Sequence, residues 1–134
     1  DLFLIDFGLS RFFIDDQENH ILNVKGNHLL GTPKYISPFV HNGETPSRRD
    51  DIISCVYLYL YSKNGTLPWE NMQFLSEKST NSSITEIDST ENKLRLEEKL
   101  NIDRFPEEKH LLKICYEMRF EEKPKYQQIK ESLN

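Results

Sequence analysis

Apolar residues in this chain fall into short clusters that are separated by long polar stretches. The longest cluster covers residues 52–61, where nearly every position is aliphatic, aromatic or Cys. Its length favours a helix over a strand, and a helix without a polar face is typical of a buried central element. Ser47 or Asp50 is expected to cap the start of this helix, and Asn64-Gly65 predicts its end.

The C-terminal third carries the spacing of amphipathic helices. A stripe at positions i, i+1, i+4 and i+7 predicts one helix, through Leu111, Leu112, Cys115 and Met118. Pro124 is a plausible first residue of a last helix, whose apolar face would hold Tyr126, Ile129 and Leu133. Residues 94–100 predict a further short helix.

The first thirty residues show a different pattern. The apolar run 2–5 ends at Asp6-Phe7-Gly8 and predicts a short buried strand followed by a turn, with a second strand over 11–14. Residues 15–30 lose all periodicity and predict a long loop. A stretch rich in Ser, Thr, Asn and Glu over 76–92 predicts a polar surface insertion. We therefore expect a mainly α fold with a short β start.

Composition and charge narrow the function classes. The 134 residues suit one domain, and the chain begins with Asp1 rather than Met, which fits either a processed protein or a piece of a longer one. Lys and Arg number 17 against 22 Asp and Glu, so we expect neither nucleic acid nor a membrane surface as partner.

The apolar clusters are too short for a membrane span, and no basic-then-apolar N-terminus suggests a secretory signal. We expect an intracellular protein, cytoplasmic or nuclear. Cys55 and Cys115 both lie in apolar stretches and are expected to be buried thiols. Neither they nor the four His show zinc-ligand spacing.

Asp6-Phe7-Gly8 is the first candidate for chemistry. A strand that ends in a carboxylate and a Gly-containing turn can present a rigid oxygen ligand to Mg²⁺. The tripeptide is short, and an ordinary solvated Asp at a strand end is the alternative.

Four further motifs follow in order along the chain: Gly31-Thr32-Pro33-Lys34-Tyr35-Ile36-Ser37-Pro38, Ser47-Arg48-Arg49-Asp50-Asp51, Gly65-Thr66-Leu67-Pro68-Trp69 and Arg119-Phe120-Glu121-Glu122-Lys123-Pro124. With Asp6-Phe7-Gly8 before them, they resemble the C-terminal lobe of a eukaryotic protein kinase, and within that superfamily the casein kinase I group of Ser/Thr kinases. The resemblance covers nearly the whole chain except residues 72–101.

The resemblance implies a partial kinase domain over 1–134, with a strand pair (1–14), an activation segment (15–38) and a helical C-lobe (39–134). Asp6 would hold the Mg²⁺ that bridges the phosphates of ATP, and Phe7 and Gly8 would complete this cofactor-binding motif.

The resemblance also implies a substrate site. Gly31 and Thr32 would form its floor, and the Thr resembles a Ser/Thr kinase rather than a Tyr kinase. Lys34 would receive an anion, which favours protein substrates that are acidic or already phosphorylated. An ordinary exposed lysine is the alternative for Lys34. The basic stretch expected after Trp69 is missing. The sequence therefore departs from the family pattern at the second group of cations that would complete an anion site with Lys34.

Four residues are expected to give structural support. Asp51 would brace the catalytic loop in a kinase, although a simple acidic residue at a helix start explains the same position. Arg48 and Arg49 are expected to be structural ion-pair partners rather than ligand contacts. Trp69 is expected in the core or as an anchor beneath the substrate site.

The parts that transfer the phosphoryl group precede Asp-Phe-Gly in kinases: a Gly-rich loop, a Lys on the third strand and a catalytic loop. This sequence contains no His-Arg-Asp, and no catalytic residue is assigned in it. We therefore expect an inactive fragment of a Ser/Thr kinase that, at full length, transfers the γ-phosphoryl group of ATP with Mg²⁺. A non-catalytic, kinase-derived protein-binding module is the alternative; an unrelated helical adaptor would require every motif to be accidental.

Overall fold

The structure is a computed structural model that describes residues 3–26, 30–70 and 95–133. Its elements are helical: α1 (Pro38–His41), α2 (Arg48–Asn64), α3, whose described part is 95–100, a 3₁₀ turn (Ile102–Arg104), α4 (Lys109–Tyr116) and α5 (Tyr126–Ser132). The expectation of a mainly α fold is confirmed.

The central helix α2 begins and ends where its sequence predicts. Ser47, not Asp50, is the N-cap, and its backbone N–H donates to Asp50 Oδ2 at 2.8 Å. Gly65 ends the helix with φ 75°, a left-handed conformation that costs a glycine little, and its N–H donates to Tyr61 O at 2.8 Å.

One face of α2 is buried, which corrects the expectation of burial all round. Ile53, Val56, Tyr57 and Leu60 are buried, whereas Leu58 is 52% exposed. The Cys55 thiol is also exposed, so the prediction of two buried thiols is wrong for this residue. The reason is geometric: the described elements that pack on α2 cover one side of it, with Ile52, Tyr59 and Tyr61 partly buried at the edges, and helical periodicity places Cys55 and Leu58 on the uncovered side.

The core lies between this stripe, α4 and the turn that holds Trp69. The stripe predicted for α4 is confirmed, since all four of its residues are buried: Leu111, Leu112, Cys115 and Met118. The Trp69 ring lies 4.8 Å from the Tyr57 ring and 6.1 Å from the Phe105 ring, centroid to centroid. Burial raises the pKa of the Cys115 thiol to about 11, which keeps it protonated.

The last helix is shorter than predicted. It begins at Tyr126 rather than Pro124, and Ile129 is buried while Tyr126 and Leu133 are exposed. Ile129 is the one buried side chain among the seven residues of this helix.

The predicted strand pair within residues 1–14 does not form in the described part of that range. Residues 3–13 form no strand and contain a turn, closed by the Ser10 N–H donating to the Phe7 carbonyl at 3.0 Å, and one antiparallel bridge joins Ile14 to His20. Two short strands without a hydrophobic face to pack on are marginally stable, which explains the difference. Apolar side chains of this segment are exposed, to 88% at Phe12.

Two sequence predictions lie outside the described residues: the polar insertion over 76–92 and the first residue of the helix predicted over 94–100. The remainder, 95–100, is helical as predicted. In the three described ranges, no helix has the length and apolar character needed to cross a membrane.

Replacing Leu60 with Ala should destabilise the protein by about 2–5 kcal/mol, because the fully buried side chain leaves a cavity in the core. Leu58→Ala on the same helix is the matched control and should cost less than about 1 kcal/mol, because Leu58 is half exposed. Urea unfolding followed by circular dichroism measures both. Equal losses would contradict the one-sided burial of α2.

Candidate functional site

The structure brings residues from two distant parts of the sequence to one cavity. This cavity, of about 390 Å³, lies between the segment 6–13 and the start of α2. Asp6, Arg48 and Asp51 line it, together with aromatic and aliphatic side chains. Two carboxylates and two guanidinium groups, the second from Arg11, thus share one concave surface, which we call the front cavity.

Asp6 lies in a tight turn at the front cavity. Its backbone has φ 59°, and its Oδ1 accepts a hydrogen bond from the Gly8 N–H at 3.3 Å. A Cβ on residue 8 would lie 3.3 Å from the same oxygen, so a side chain at this position would crowd the Asp6 carboxylate. Phe7 is 64% exposed and is not packed in the core.

The donor set fits Mg²⁺ only in part. The described ranges hold no group of three or more His, Cys, Asp or Glu that could bind a metal. Asp6 supplies one exposed carboxylate. That suits Mg²⁺ held between one protein carboxylate, water and substrate phosphates, which is how this ion is usually bound.

Asp51 lies in the first turn of α2 at the front cavity. Desolvation by the surrounding protein and then the neighbouring charge of Asp50 raise the pKa of its carboxyl group. An acid at this position interacts favourably with the helix dipole, and it offers acceptor oxygens at the cavity surface.

Arg48 and Arg49 connect the start of α2 to neighbouring segments through a hydrogen bond, an ion pair and contacts with aromatic rings. Arg48 donates to the Glu121 carbonyl at 2.9 Å, and its guanidinium carbon lies 4.1 Å from the centroid of the Phe13 ring. Arg49 is buried, forms an ion pair with Glu44 at 2.8 Å and lies 3.5 Å from the centroid of the Phe39 ring.

The second part of the site is the floor segment, residues 31–38. The Thr32 carbonyl accepts from the backbone N–H groups of Tyr35, at 2.9 Å, and Ile36, at 3.1 Å. Gly31 has φ 104°, and a Cβ there would lie 3.0 Å from Ile36 Cγ2. The turn therefore requires glycine at this position.

Lys34 forms an ion pair with Glu70. Its Nζ also lies 3.4 Å from the centroid of the Tyr61 ring. Desolvation is the largest single effect and opposes its charge, but the hydrogen bonds and charges of Glu70 and Tyr35 together outweigh it and raise the pKa of Lys34. Lys34 is therefore already paired with a carboxylate. It is neither an unpaired cation that could receive an anion directly nor an ordinary exposed lysine.

Trp69 supports the floor segment from below. The indole is buried, and its Nε1–H donates to the Lys34 carbonyl at 2.8 Å. Together with Thr32, Pro33, Lys34, Glu70 and Arg95, it lines a cavity of about 240 Å³. The residue expected beneath the substrate site therefore contacts the backbone of the segment that carries Lys34.

Asp50 has a second partner that the sequence analysis missed. Its Oδ1 accepts from the Ser37 hydroxyl at 2.5 Å, and Ser37 Oγ in turn accepts from the Val40 N–H at 3.1 Å at the start of α1. Both side chains are buried. The cap of α2 is thereby joined to the end of the floor segment.

Lys99 was also missed. It lies on α3 and is 1% exposed, although no apolar pattern marks its position and lysine is among the residue types least often buried. Its Nζ donates to the Pro33 and Ile36 carbonyls, each at 2.7 Å, and lies 3.3 Å from His41 Nδ1. Burial, and then the nearby charge of Arg95, lower the pKa of Lys99 to about 7.

The structure therefore forms two groups from the residues singled out in the sequence. Asp6, Arg48 and Asp51 line the front cavity, and Thr32, Lys34 and Trp69 line the smaller cavity at the floor segment. No protein-family model matches the chain.

The pKa of Lys99 predicts a pH-dependent stability. The pKa of Lys99 is about 7 in the folded state and has its usual value of 10.5 in the unfolded state. Between these two pH values, the unfolded chain holds the Lys99 proton and the folded chain does not. The free energy of unfolding should therefore rise with pH across this window, by up to about 1.4 kcal/mol per pH unit.

Urea unfolding of the wild type and of Lys99→Met between pH 7.5 and 9.5 measures this contribution, because the difference between the two proteins removes the titration of other groups. A difference that stays constant or falls with pH would show that the folded protein retains the Lys99 proton.

Proposed function

We propose that this chain is the substrate-side lobe of a serine/threonine protein kinase of casein kinase I type. The reaction would transfer the γ-phosphoryl group of ATP to a Ser or Thr hydroxyl of a protein. The observation that carries the proposal is the front cavity, to which Asp6 of the Asp-Phe-Gly turn and Asp51 of α2 both contribute.

Asp6 would act as the protein ligand of Mg²⁺. Phosphoryl transfer depends on positioning and charge neutralisation, and a metal between a carboxylate and the phosphates supplies both. Asp51 would accept hydrogen bonds from the backbone of a catalytic loop seated in the front cavity. The sequence holds no His-Arg-Asp loop, so the 134 residues alone would not transfer phosphate.

The floor segment would hold the acceptor residue of the substrate. Its backbone is fixed at Pro33, Lys34 and Ile36 by hydrogen bonds from Trp69 and Lys99. Acidic or phosphorylated substrates would bind at Lys34 by competing with Glu70, which now holds its ammonium. Specificity for anions would thus depend on how readily Glu70 is displaced.

A non-catalytic protein-binding module is the second candidate. The exposed apolar side chains of residues 3–12 favour it, since contiguous apolar surface commonly marks a protein interface. The two candidates differ in whether the front cavity can support catalysis when the missing elements are supplied.

A chimera tests this difference. The Gly-rich loop, third-strand Lys and catalytic loop of a casein kinase I domain are fused before Asp1, and phosphate transfer to a Ser-containing peptide is measured with radiolabelled ATP. We expect activity from the chimera and none from the 134 residues alone. Asp6→Asn in the chimera should reduce activity at least about 100-fold, since it removes the carboxylate ligand of Mg²⁺.

Asp16→Asn is the matched control, because it removes an exposed carboxylate that does not line the front cavity and should leave activity unchanged. A folded chimera without activity would refute the kinase proposal and favour the binding module. Equal losses in both variants would refute the metal role of Asp6.

Glu70→Gln should strengthen binding of a peptide with acidic residues before its Ser, because it removes the carboxylate that competes for Lys34. We expect the Kd to fall roughly two- to fivefold in isothermal titration calorimetry, with no change for a peptide without acidic residues. Glu107→Gln makes the same charge change at an ion pair with Lys63, far from the floor segment in sequence. An equal gain in both variants would show a general charge effect instead.

A further inference from the structure

Lys99 is the point at which the floor segment is joined to two helices of the core. Its ammonium bonds the carbonyls of Pro33 and Ile36 on one side. On the other side, its backbone carbonyl accepts from the Tyr116 hydroxyl of α4 at 2.7 Å, and that hydroxyl pairs with the Tyr57 hydroxyl of α2 at 2.6 Å. One residue thus connects α2, α4 and the floor segment through hydrogen bonds.

Burial of a lysine is costly unless its N–H donors form hydrogen bonds, so the partners of this ammonium are what allow it to be buried. Two backbone carbonyls accept from it at 2.7 Å, and His41 Nδ1 lies 3.3 Å away. The Tyr57 and Trp69 rings, each with its centroid 5.7 Å away, add aromatic faces on which a cation is favoured.

The two carbonyls lie in a turn whose neighbouring carbonyls have other donors. Within the floor segment, the Thr32 carbonyl closes the turn internally, and the Lys34 carbonyl is bound by Trp69. The Pro33 and Ile36 carbonyls point to the same Nζ from opposite ends of the turn. Loss of this Nζ would leave the buried Ile36 carbonyl and the partly buried Pro33 carbonyl without this donor, which favours opening of the turn.

We propose that Lys99 is the positioning residue that fixes the floor segment in the shape that receives a substrate. The reference to substrate rests on the proposed kinase function, whereas the effect on the segment does not. Lys99 contacts no reacting atom; it acts through the backbone of residues 33 and 36. Either protonation state keeps two N–H donors for the two carbonyls, so the contact survives across neutral pH.

The only tryptophan of the chain provides a local probe, because its indole N–H donates to the Lys34 carbonyl between the two positions that Lys99 binds. Hydrogen exchange of this indole and of the Ile36 amide is followed by NMR in the wild type, in Lys99→Met and in Lys113→Met. Met matches the volume of the Lys stem and removes all donors. Lys113 is an exposed lysine of α4 and serves as the control.

We expect Lys99→Met to accelerate exchange at the Trp69 indole and the Ile36 amide at least about tenfold, with slow exchange retained at core amides such as those of Ile53 and Leu112. Lys113→Met should change neither. If the Met variant fails to fold, Lys99→Gln, which keeps a short polar donor, takes its place with the same expected direction.

Unchanged exchange at Trp69 and Ile36 would overturn the proposal, as would an equal acceleration at every core amide, because that would show general destabilisation. Failure of the chimera to phosphorylate peptides would refute the kinase function, but it would leave the exchange result as it stands. The two proposals can therefore fail separately.

Discussion

The buried stripe of α2 is the constraint on which the other described elements depend. Ile53, Val56, Tyr57 and Leu60 form one face of the helix and are nearly or fully inaccessible to solvent. α4, the Trp69 turn and Phe105 all belong to the core cluster that contains this stripe. Because apolar burial is the main favourable term in folding, the position of each of these elements is set by what it covers on α2.

Polar groups then determine how the floor segment sits on this apolar core. Apolar contacts are non-directional and would tolerate several positions of a loop. The hydrogen bonds from Lys99, Trp69 and Ser37 are directional, and each loses its geometry if the segment shifts. These bonds act together with the packing of Ile36, which is buried, and of Tyr35, which lies against the core.

The electrostatics of the site follow from the same arrangement. Lys34 and Glu70 neutralise each other at the floor segment, and Arg49 with Glu44 does so behind the start of α2. At the front cavity the carboxylates of Asp6 and Asp51 accompany the guanidinium groups of Arg11 and Arg48. A cation bound at Asp6 would therefore meet both signs of charge there, whereas an anion at Lys34 has to replace a carboxylate that is already in place.

The sequence by itself determined the mainly α character, both ends of α2 and the buried face of α4, because capping residues and helical periodicity act within one or two turns. The clustering of motifs suggested Asp6, Lys34 and Asp51, but not what surrounds them. Only the tertiary structure decided that Lys34 is paired with Glu70, that one face of α2 stays exposed and that residues 3–13 form no strand. The burial of Lys99 could not be read from its neighbours along the chain, because its acceptors lie more than fifty residues away and meet it only when the core has formed.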